Sequence, residues 1–358
     1  MRTPLRSPAV LVAVAGVLVV AVLVVIALVT PGGDSPGVAT AADQPSSTGT
    51  PATAGPLPAP SGSGVPSAPP SASVSDPPAS SSAPPDASPK PGSTTKAAAP
   101  KPRNGFPSAS NTGLRPGTKL KAASSKVLRI QKAGTVIDRV DMRADISVEA
   151  DNVTIKNSRL ITAGEWAIIQ REGASGLTVQ DSEIRGNGKD RLQHAIFNQG
   201  GDIRILRNDM SIMSDAISTN NGLIEGNYLH DPIYFDGDHT DMIQSNSGPP
   251  SGKRLVIRNN TIINTLDQTA ALALFQDFGV QHDALIENNL MAGGGYALYA
   301  GAGKLGTSYN IQVINNVFSR EVYPKSGQYG PVSYWDAQGK GNVWRGNTWA
   351  DTGQPVNP

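Results

Sequence analysis

One short segment concentrates the titratable side chains of this sequence. Residues 229–241, LHDPIYFDGDHTD, hold four aspartates and two of the chain's four histidines within thirteen positions. Carboxylates this close raise one another's pKa, and a neighbouring imidazolium lowers it, so the segment can supply a proton donor and a proton acceptor near neutral pH. Its catalytic candidates are Tyr234, Asp236, Asp238, His239 and Asp241. The alternative is a solvated acidic loop whose aspartates cap turns.

The same carboxylates are candidates for a Ca²⁺ site, because calcium prefers oxygen ligands. Its ligands would be Asp236, Asp238 and Asp241. An EF-hand is excluded, since a loop that starts at Asp236 has neither a glycine at its sixth position nor a glutamate at its twelfth. The sequence thus leaves two options open, a calcium-bound site and a site without any cofactor.

An internal repeat indicates the elements that must position this segment. An aliphatic alternation followed by Asn, Asp or Gly recurs along the chain, and its central apolar residues are Ile155, Val179, Ile205, Ile224, Ile257, Ile286, Val313 and Trp344. A second set of short segments interleaves with it, from WAIIQ at Trp166 to YALYA at Tyr296. Period-two alternation between turn residues predicts strands. Two or three strands per repeat predict an all-β fold, a parallel β-solenoid.

Asparagines stand where each repeat must turn, at Asn157, Asn227, Asn259, Asn288 and Asn315. Asparagine tolerates left-handed backbone conformations, and amides stacked from coil to coil can hydrogen-bond along the solenoid axis. We therefore assign these asparagines a structural role.

The second set of strands predicts a column of outward side chains. Alternation turns Ile196, Ile217, Ile243 and Leu298 inward, so the residue after each of them faces out. These outward residues, Phe197, Ser218, Gln244 and Tyr299, are the substrate-binding candidates. His194 and Asp215 occupy the strand position of Asp241 in the two preceding coils. Two further candidates, Gln276 and Lys304, follow the next two strands. The alternative is ordinary surface variation, with Asp215 as a turn cap.

Composition divides the chain into three parts. Residues 31–103 hold 18 of the 29 prolines and no aromatic residue, so we predict a disordered linker there. The globular domain is then 104–358, which carries 24 basic and 25 acidic residues and lacks the positive field of a nucleic-acid binder. Cysteine is absent, which excludes disulfides and a thiolate nucleophile. We expect a monomer.

The first 30 residues predict where the domain is located. Residues 9–29 form an uncharged apolar run of 21 residues, long enough to span a bilayer. Arg2 and Arg6 precede the run and no basic residue follows until Lys90, which predicts a cytoplasmic N-terminus and a single-pass membrane protein with its domain outside the cell. A cleaved signal peptide, which would make the protein secreted, is the alternative.

Two segments, GTVIDRVDMRADISVEADNVTIKNS (Gly134–Ser158) and DHTDMIQSN (Asp238–Asn246), resemble actinobacterial extracellular β-helix proteins. More broadly, residues 111–350 resemble right-handed parallel β-helix proteins of the pectate-lyase-like superfamily. The resemblance implies that fold. It leaves the chemistry open, because the superfamily contains lyases, hydrolases, epimerases and catalytically silent adhesins.

The resemblance implies polysaccharide as the partner, and we expect a lyase or epimerase of acidic glycans. In a β-elimination, Lys304 or His239 is the candidate base, Tyr234 or Tyr299 the candidate acid, and Ca²⁺ the group that neutralises the sugar carboxylate. Hydrolysis with inversion would instead need two aspartates about 6.5–9.5 Å apart. The alternatives are a non-catalytic glycan-binding or adhesive module and a structural component of the cell envelope.

Overall fold

The computed structural model of the chain describes residues 105–123 and 125–358. Short strands and turns make up this part. The strands of its first half are β1 (Lys121–Ala122), β2 (Leu128–Ile130), β3 (Val136–Asp138), β4 (Val140–Met142), β5 (Ile146–Val148), β6 (Thr154–Lys156), β7 (Arg159–Thr162), β8 (Gly164–Gln170), β9 (Leu177–Gln180), β10 (Glu183–Gly186), β11 (Leu192–Asn198), β12 (Ile203–Leu206), β13 (Asp209–Ser211) and β14 (Asp215–Ser218). Those of the second half are β15 (Gly222–Glu225), β16 (Tyr228–His230), β17 (Asp241–Ser245), β18 (Leu255–Arg258), β19 (Thr261–Asn264), β20 (Ala270–Leu274), β21 (His282–Glu287), β22 (Leu290–Gly293), β23 (Tyr296–Ala300), β24 (Tyr309–Ile314), β25 (Val317–Phe318), β26 (Gly330–Ser333), β27 (Val343–Arg345) and β28 (Thr348–Trp349).

Every third strand joins the same sheet, so three parallel sheets run the length of the described domain. Sheet A has the order β1-β4-β7-β10-β13-β16-β19-β22-β25-β28, sheet B the order β2-β5-β8-β11-β14-β17-β20-β23-β26, and sheet C the order β3-β6-β9-β12-β15-β18-β21-β24-β27. Each coil therefore contributes one strand to each sheet and stacks on the preceding coil. The predicted all-β fold, a parallel β-helix, is confirmed for these residues.

The repeat read from the sequence gives the register of sheet C. The central apolar residues of the repeat pair in succession, from Ile155 opposite Val179 to Val313 opposite Trp344. All but Trp344 are fully buried. They form one column of the apolar core that fills the coil interior.

A ladder of buried asparagines stabilises the turn between sheet C and sheet A. Each amide accepts a hydrogen bond from the backbone N–H of the residue before it in the ladder, as Asn260 Oδ1 does from Asn227 at 2.9 Å and Asn289 Oδ1 does from Asn260 at 3.0 Å. The Nδ2 atoms also donate to backbone carbonyls, for example Asn260 to Ile224 at 3.0 Å. The ladder comprises Asn208, Asn227, Asn260, Asn289, Asn316 and Asn347.

The residue just before each ladder position has a left-handed backbone. Asn259, Asn288 and Asn315 have φ angles of 56°, 53° and 56°, a conformation that asparagine adopts more readily than most residues. Asn157, which precedes Ser158 two coils before the first ladder asparagine, has a φ of 49°. Of the asparagines predicted from the sequence, these four make the turn and Asn227 belongs to the ladder itself. Asparagine therefore has both predicted structural roles: it makes the left-handed turn at one position and hydrogen-bonds along the solenoid axis at the next.

Within the described part of the chain, no helix combines the length and the apolar character needed to cross a bilayer. The predicted anchor (residues 1–30) and the predicted linker (31–103) lie outside the described residues. Both stay predictions from the sequence.

Candidate functional site

Sheet B presents two columns of outward side chains instead of one. In each of its central strands, two successive residues point into the core, as Ala195 and Ile196 do in β11 and Ala216 and Ile217 do in β14. The residues on either side of such a pair therefore share the outer face. The rings of His194 and Phe197, three positions apart, accordingly stack at 4.9 Å.

The residues of the predicted outer column pair in register in this sheet, although Ser218 and Ala273 are buried. Phe197 pairs with Ser218, Ser218 with Gln244, Gln244 with Ala273, and Ala273 with Tyr299. The second column lies at the start of the strands and contains His194 and Asp215, which pair with each other, followed by Asp241 in the next coil. The structure thus brings the predicted residues of three neighbouring coils together.

Asp215 and Asp241 of the second column and Gln244 of the outer column line a cleft of about 390 Å³, which we call the acidic cleft. Its carboxylates come from Asp215, Asp238, Asp241 and Asp277, and its other lining residues are Arg191, Gln193, Gly237, His239, Gln244, Thr269 and Phe275. Four of these, Gly237, Asp238, His239 and Asp241, belong to the segment predicted from the sequence, and Gln244 lies three residues after it. That segment leads into β17 and forms one wall of the cleft.

Asp215 is held rigidly at the floor of the acidic cleft. One carboxyl oxygen accepts a hydrogen bond from the backbone N–H of Asp241 at 2.8 Å, and the other accepts one from Gln244 Nε2 at 3.1 Å. His194 Nδ1 lies 3.4 Å from that second oxygen. Asp241 is 2% exposed, and within the described residues its Oδ1 atom has no hydrogen-bond partner. The carboxyl of Asp241 therefore retains unused hydrogen-bonding capacity.

Burial makes both carboxyls hold their protons unusually strongly. It raises the pKa of Asp215 to about 7, an effect that the backbone hydrogen bond from Asp241 opposes in part. The pKa of Asp241 is raised well above its ordinary value, first by burial and then by the negative charge of Asp215. At neutral pH, Asp215 is therefore close to the midpoint of its titration, while Asp241 holds its proton more strongly than an ordinary carboxyl does. The pair holds a proton donor beside a proton acceptor.

An ion pair fixes the third carboxylate and the loop that carries it. Arg191 Nε donates to both oxygens of Asp238, at 2.8 and 2.9 Å, and its Nη1 donates to Glu165 at 3.0 Å. The hydroxyl of Ser214 also donates to Asp238. Burial would raise the pKa of Asp238, but the hydrogen bonds from Arg191 and Ser214 together with the guanidinium charge leave it below its ordinary value. Asp238 is therefore ionised and already neutralised by Arg191.

His194 is a neutral group at physiological pH. Burial, followed by the positive charge of Arg191, lowers its pKa to about 4. It therefore supplies a hydrogen-bonding ring next to Asp215 and no charge. Its stacked partner Phe197 lies in turn 6.3 Å from the ring of Trp166.

Aromatic rings stand on the other side of the acid pair. Phe275 and Tyr299 meet edge to face at 5.7 Å, and Tyr299 contacts Tyr334 at 5.2 Å and Tyr296 at 5.7 Å. Burial raises the pKa of Tyr299 to about 12, so its hydroxyl keeps its proton at any physiological pH. Aromatic surface thus flanks the carboxyls along the helix axis in both directions.

The remaining predicted residues lie apart from this arrangement. Tyr234 and Asp236 are solvent-exposed and do not line the acidic cleft, and the same holds for Lys304. Gln276 is buried and binds the loop beyond β23: its Nε2 donates to the carbonyls of Gly301 and Gly306 at 2.8 and 2.9 Å. The side chain of Gln276 therefore holds a loop in place.

The three aspartates considered for calcium do not form a common site. Asp236 is exposed, Asp238 is occupied by Arg191 and Ser214, and Asp241 is buried at the strand start. Among the described residues, no group of three or more His, Asp or Glu side chains is placed to hold a metal ion. The donor set predicted from the sequence does not fit Ca²⁺.

Sequence reasoning missed Arg191, Ser214 and Phe275. The signal for Arg191 was its location, since it lies in the connection that leads into the strand of His194, just as residues 229–241 lead into the strand of Asp241. Ser214 directly precedes β14 in the same way. Phe275 directly follows β20, the strand that pairs with β17, and so adjoins the predicted column.

Comparison of the chain with models of protein families, with curated proteins and with solved structures finds no match. The fold and the side chains of the acidic cleft therefore carry the functional argument.

Proposed function

We propose that this protein binds polysaccharide over sheet B and cleaves it by acid–base catalysis at Asp215 and Asp241. The observation that carries the proposal is the pairing of two buried carboxyls from adjacent coils at the floor of the acidic cleft, with aromatic rings on both sides. Aromatic faces and a few converging polar groups suit a sugar chain, which has apolar ring faces and hydroxyl edges.

Glycoside hydrolysis needs one carboxyl that carries a proton and one that is ionised, and the raised pKa of Asp241 favours this residue as the proton donor. Protonated Asp241 would give its proton to the glycosidic oxygen as the bond between this oxygen and the sugar carbon breaks. Ionised Asp215 would either take a proton from the attacking water or attack the sugar carbon itself. Gln244 holds the Asp215 carboxylate in position through its 3.1 Å hydrogen bond.

The charge of the acidic cleft favours hydrolysis over β-elimination. A lyase or epimerase acting on a uronic acid needs a cation to neutralise the sugar carboxylate. Arg191 is the single Lys or Arg side chain among the described residues that line the cleft, and Asp238 and Glu165 already engage it. The lyase or epimerase of acidic glycans expected from the sequence is therefore the second candidate, and the experiment below separates the two.

We extend the proposal to the superfamily and the cellular location of the domain. Membership in the pectate-lyase-like superfamily is part of it, supported by the three stacked parallel sheets. The uncharged run at residues 9–29 and the proline-rich linker support a domain tethered outside the cell, where polysaccharide is accessible. Fractionation of cells that express the full chain, with protease applied from outside, tests this location.

Product analysis tests the reaction. The full-length chain is incubated with neutral and uronate-containing polysaccharides, and both new reducing ends and the ultraviolet absorbance of unsaturated uronates are followed. We expect reducing ends from neutral polymers without the absorbing product. Asp241→Asn should lower the rate about 10²–10⁴-fold, the usual contribution of a general acid. Asp236→Asn is the matched control, since this aspartate lies on the same loop and is exposed, and it should react like the unaltered chain.

Three outcomes would contradict the proposed hydrolysis. An unsaturated product would show a lyase. Binding without any product would show a glycan-binding module. Equal rates for Asp241→Asn and Asp236→Asn would remove the acid pair from the mechanism.

A further inference from the structure

A second cleft, of about 520 Å³, adjoins the acidic cleft at the opposite ends of the sheet-B strands. Ser218 lines this second cleft and pairs directly with Gln244, which lines the first. The short segment after β20 separates the two, with Asp277 on one side and Phe278 on the other. The two clefts therefore lie next to each other on sheet B, on either side of this segment.

The lining of the second cleft carries amides and no charge, so we call it the amide cleft. Its polar side chains are those of Asn198, Gln199, Ser218, Thr219, Asn220, Asn221, Asn246 and Ser247. Asn221 is 4% exposed, and its Oδ1 has no hydrogen-bond partner within the described residues; the same is true of Asn246 Oδ1. A buried acceptor without a donor destabilises the folded state, because the acceptor has lost its hydrogen bonds to water. Both oxygens are covered by neighbouring atoms, and each lacks the donor that a ligand hydroxyl would supply on entering the cleft.

Two aromatic rings complete the amide cleft. Phe197 is half-buried at the end of the outer column, and Phe278 is 82% exposed. The backbone of Phe278 is fixed, since its N–H donates to the carbonyl of Asn246 at 3.0 Å. An aromatic ring held in solvent beside unpaired amide oxygens matches a ligand with both apolar faces and hydroxyl groups.

We propose that the amide cleft is a binding subsite for an uncharged sugar, and that the polysaccharide runs along the strands of sheet B from the acidic cleft to the amide cleft. This inference rests on the proposed function and specifies its substrate class. A carboxylate-bearing sugar is disfavoured because the described lining of the amide cleft holds no cation and presents two acceptor oxygens. Hydroxyl groups, in contrast, can donate to both.

The spacing of the two clefts gives a further expectation. Asp241 and Asn246 are five positions apart on one extended segment, about 16 Å at the usual rise of a strand. A single sugar ring cannot span this distance. Affinity should therefore rise with oligosaccharide length until a ligand fills both clefts.

Calorimetric titration of the full-length Asp241→Asn chain tests the subsite without turnover. The probes are β-1,4-linked glucose, xylose and mannose oligosaccharides of increasing length, with hexuronate oligosaccharides of equal length for comparison. We expect binding of at least one neutral series, with affinity that increases with length. Adding Phe278→Ala or Asn246→Ala should weaken binding of the long oligosaccharides about tenfold and leave the shortest ones unaffected.

Phe106→Ala is the matched control, because Phe106 is also an exposed phenylalanine and lies outside both clefts. It should bind like the Asp241→Asn chain alone. The subsite is overturned if no neutral oligosaccharide binds, if hexuronates bind more tightly, or if both amide-cleft variants behave like the control. These results are distinct from a failure of the proposed catalysis, in which the Phe278 effect on binding would persist while the unaltered chain releases no product.

Discussion

Replacing Asp215 with asparagine should make the folded domain more stable at pH 8 and flatten the pH dependence of its stability. Burial raises the pKa of this carboxyl from 3.8 to about 7 in the folded chain. Between these two values, the native state keeps a proton that the unfolded chain releases. The free energy of unfolding contributed by Asp215 therefore falls as pH rises through this window and stays low above it.

The size of the effect follows from the two pKa values. A tenfold change in an acid dissociation constant corresponds to about 1.4 kcal/mol, so the cost of ionising Asp215 in the folded state reaches up to about 4 kcal/mol above pH 7. Asparagine carries no charge at any pH and still offers an oxygen to the backbone N–H of Asp241. The substitution therefore removes the ionisation cost and keeps that hydrogen bond.

Urea unfolding at a series of pH values between 4 and 8 measures this effect. Fluorescence reports on the domain specifically, since all four tryptophans lie beyond residue 104. Asp215→Asn should gain stability relative to the unaltered chain as pH rises, whereas Asp236→Asn, exposed on the neighbouring loop, should follow the unaltered chain throughout. Parallel curves for the Asp215 variant and the unaltered chain would refute the reasoning, because they would mean that Asp215 ionises as easily in the folded state as in the unfolded one.

Three further predictions follow from other contacts. Burial lowers the pKa of His230, but hydrogen bonds to Asp209 at 3.0 Å and Asp231 at 2.7 Å outweigh this effect, so an NMR titration should give a midpoint above 6.5. The stability that His230 contributes is therefore complete below pH 6.5 and is lost as pH rises through the midpoint. A midpoint below 6.5 would contradict this prediction. Asn260→Ala should lower the free energy of unfolding by about 2–6 kcal/mol, because the backbone N–H and the Nδ2 group of Asn227 both lose their acceptor. The control Asn259→Gly should change the free energy of unfolding little, since glycine readily adopts the φ of 56° found at this position. Equal losses in urea unfolding would disprove the role of the ladder. Arg191→Met should leave the buried carboxylate of Asp238 without a counter-charge, with only the hydroxyl of Ser214 as a donor, and so increase amide hydrogen exchange across residues 229–241. Unchanged exchange would show that the ion pair does not hold this loop.

The fold could be predicted from the sequence because a stacked coil repeats one local pattern. Each repeat places an aliphatic residue at the same strand position, and the steric and hydrogen-bonding demands of a parallel ladder then align these residues without further information. The column from Ile155 to Trp344 is paired as the repeat predicts. The turn asparagines were recognisable for the same reason.

The acidic cleft could be predicted only in part, because its shape depends on a departure from strand alternation. Period two identifies Ser218 as outward, but it does not reveal that Ala216 and Ile217 both point inward and so return Asp215 to the outer face. A small residue followed by a larger aliphatic one, as Ala216 is by Ile217, allows two successive side chains to point inward but does not require it. The two-column arrangement therefore became visible only in three dimensions.

The individual environment of each aspartate was equally hidden in the sequence. Asp236 and Asp238 are two positions apart, yet one is exposed and the other is 7% exposed and bound by Arg191 from 47 residues earlier. Contacts between coils decide which carboxyl is ionised, neutralised or protonated. Composition could locate the acidic segment but could not assign these states.

A crystal structure of the Asp241→Asn chain with a bound neutral oligosaccharide tests the central claim most directly. We expect a glycosidic oxygen within hydrogen-bond reach of the side chain at position 241, with sugar rings continuing past Ser218 towards Phe278. A sugar chain bound on another face of the solenoid, or an acidic cleft that stays empty at saturating oligosaccharide, would contradict it.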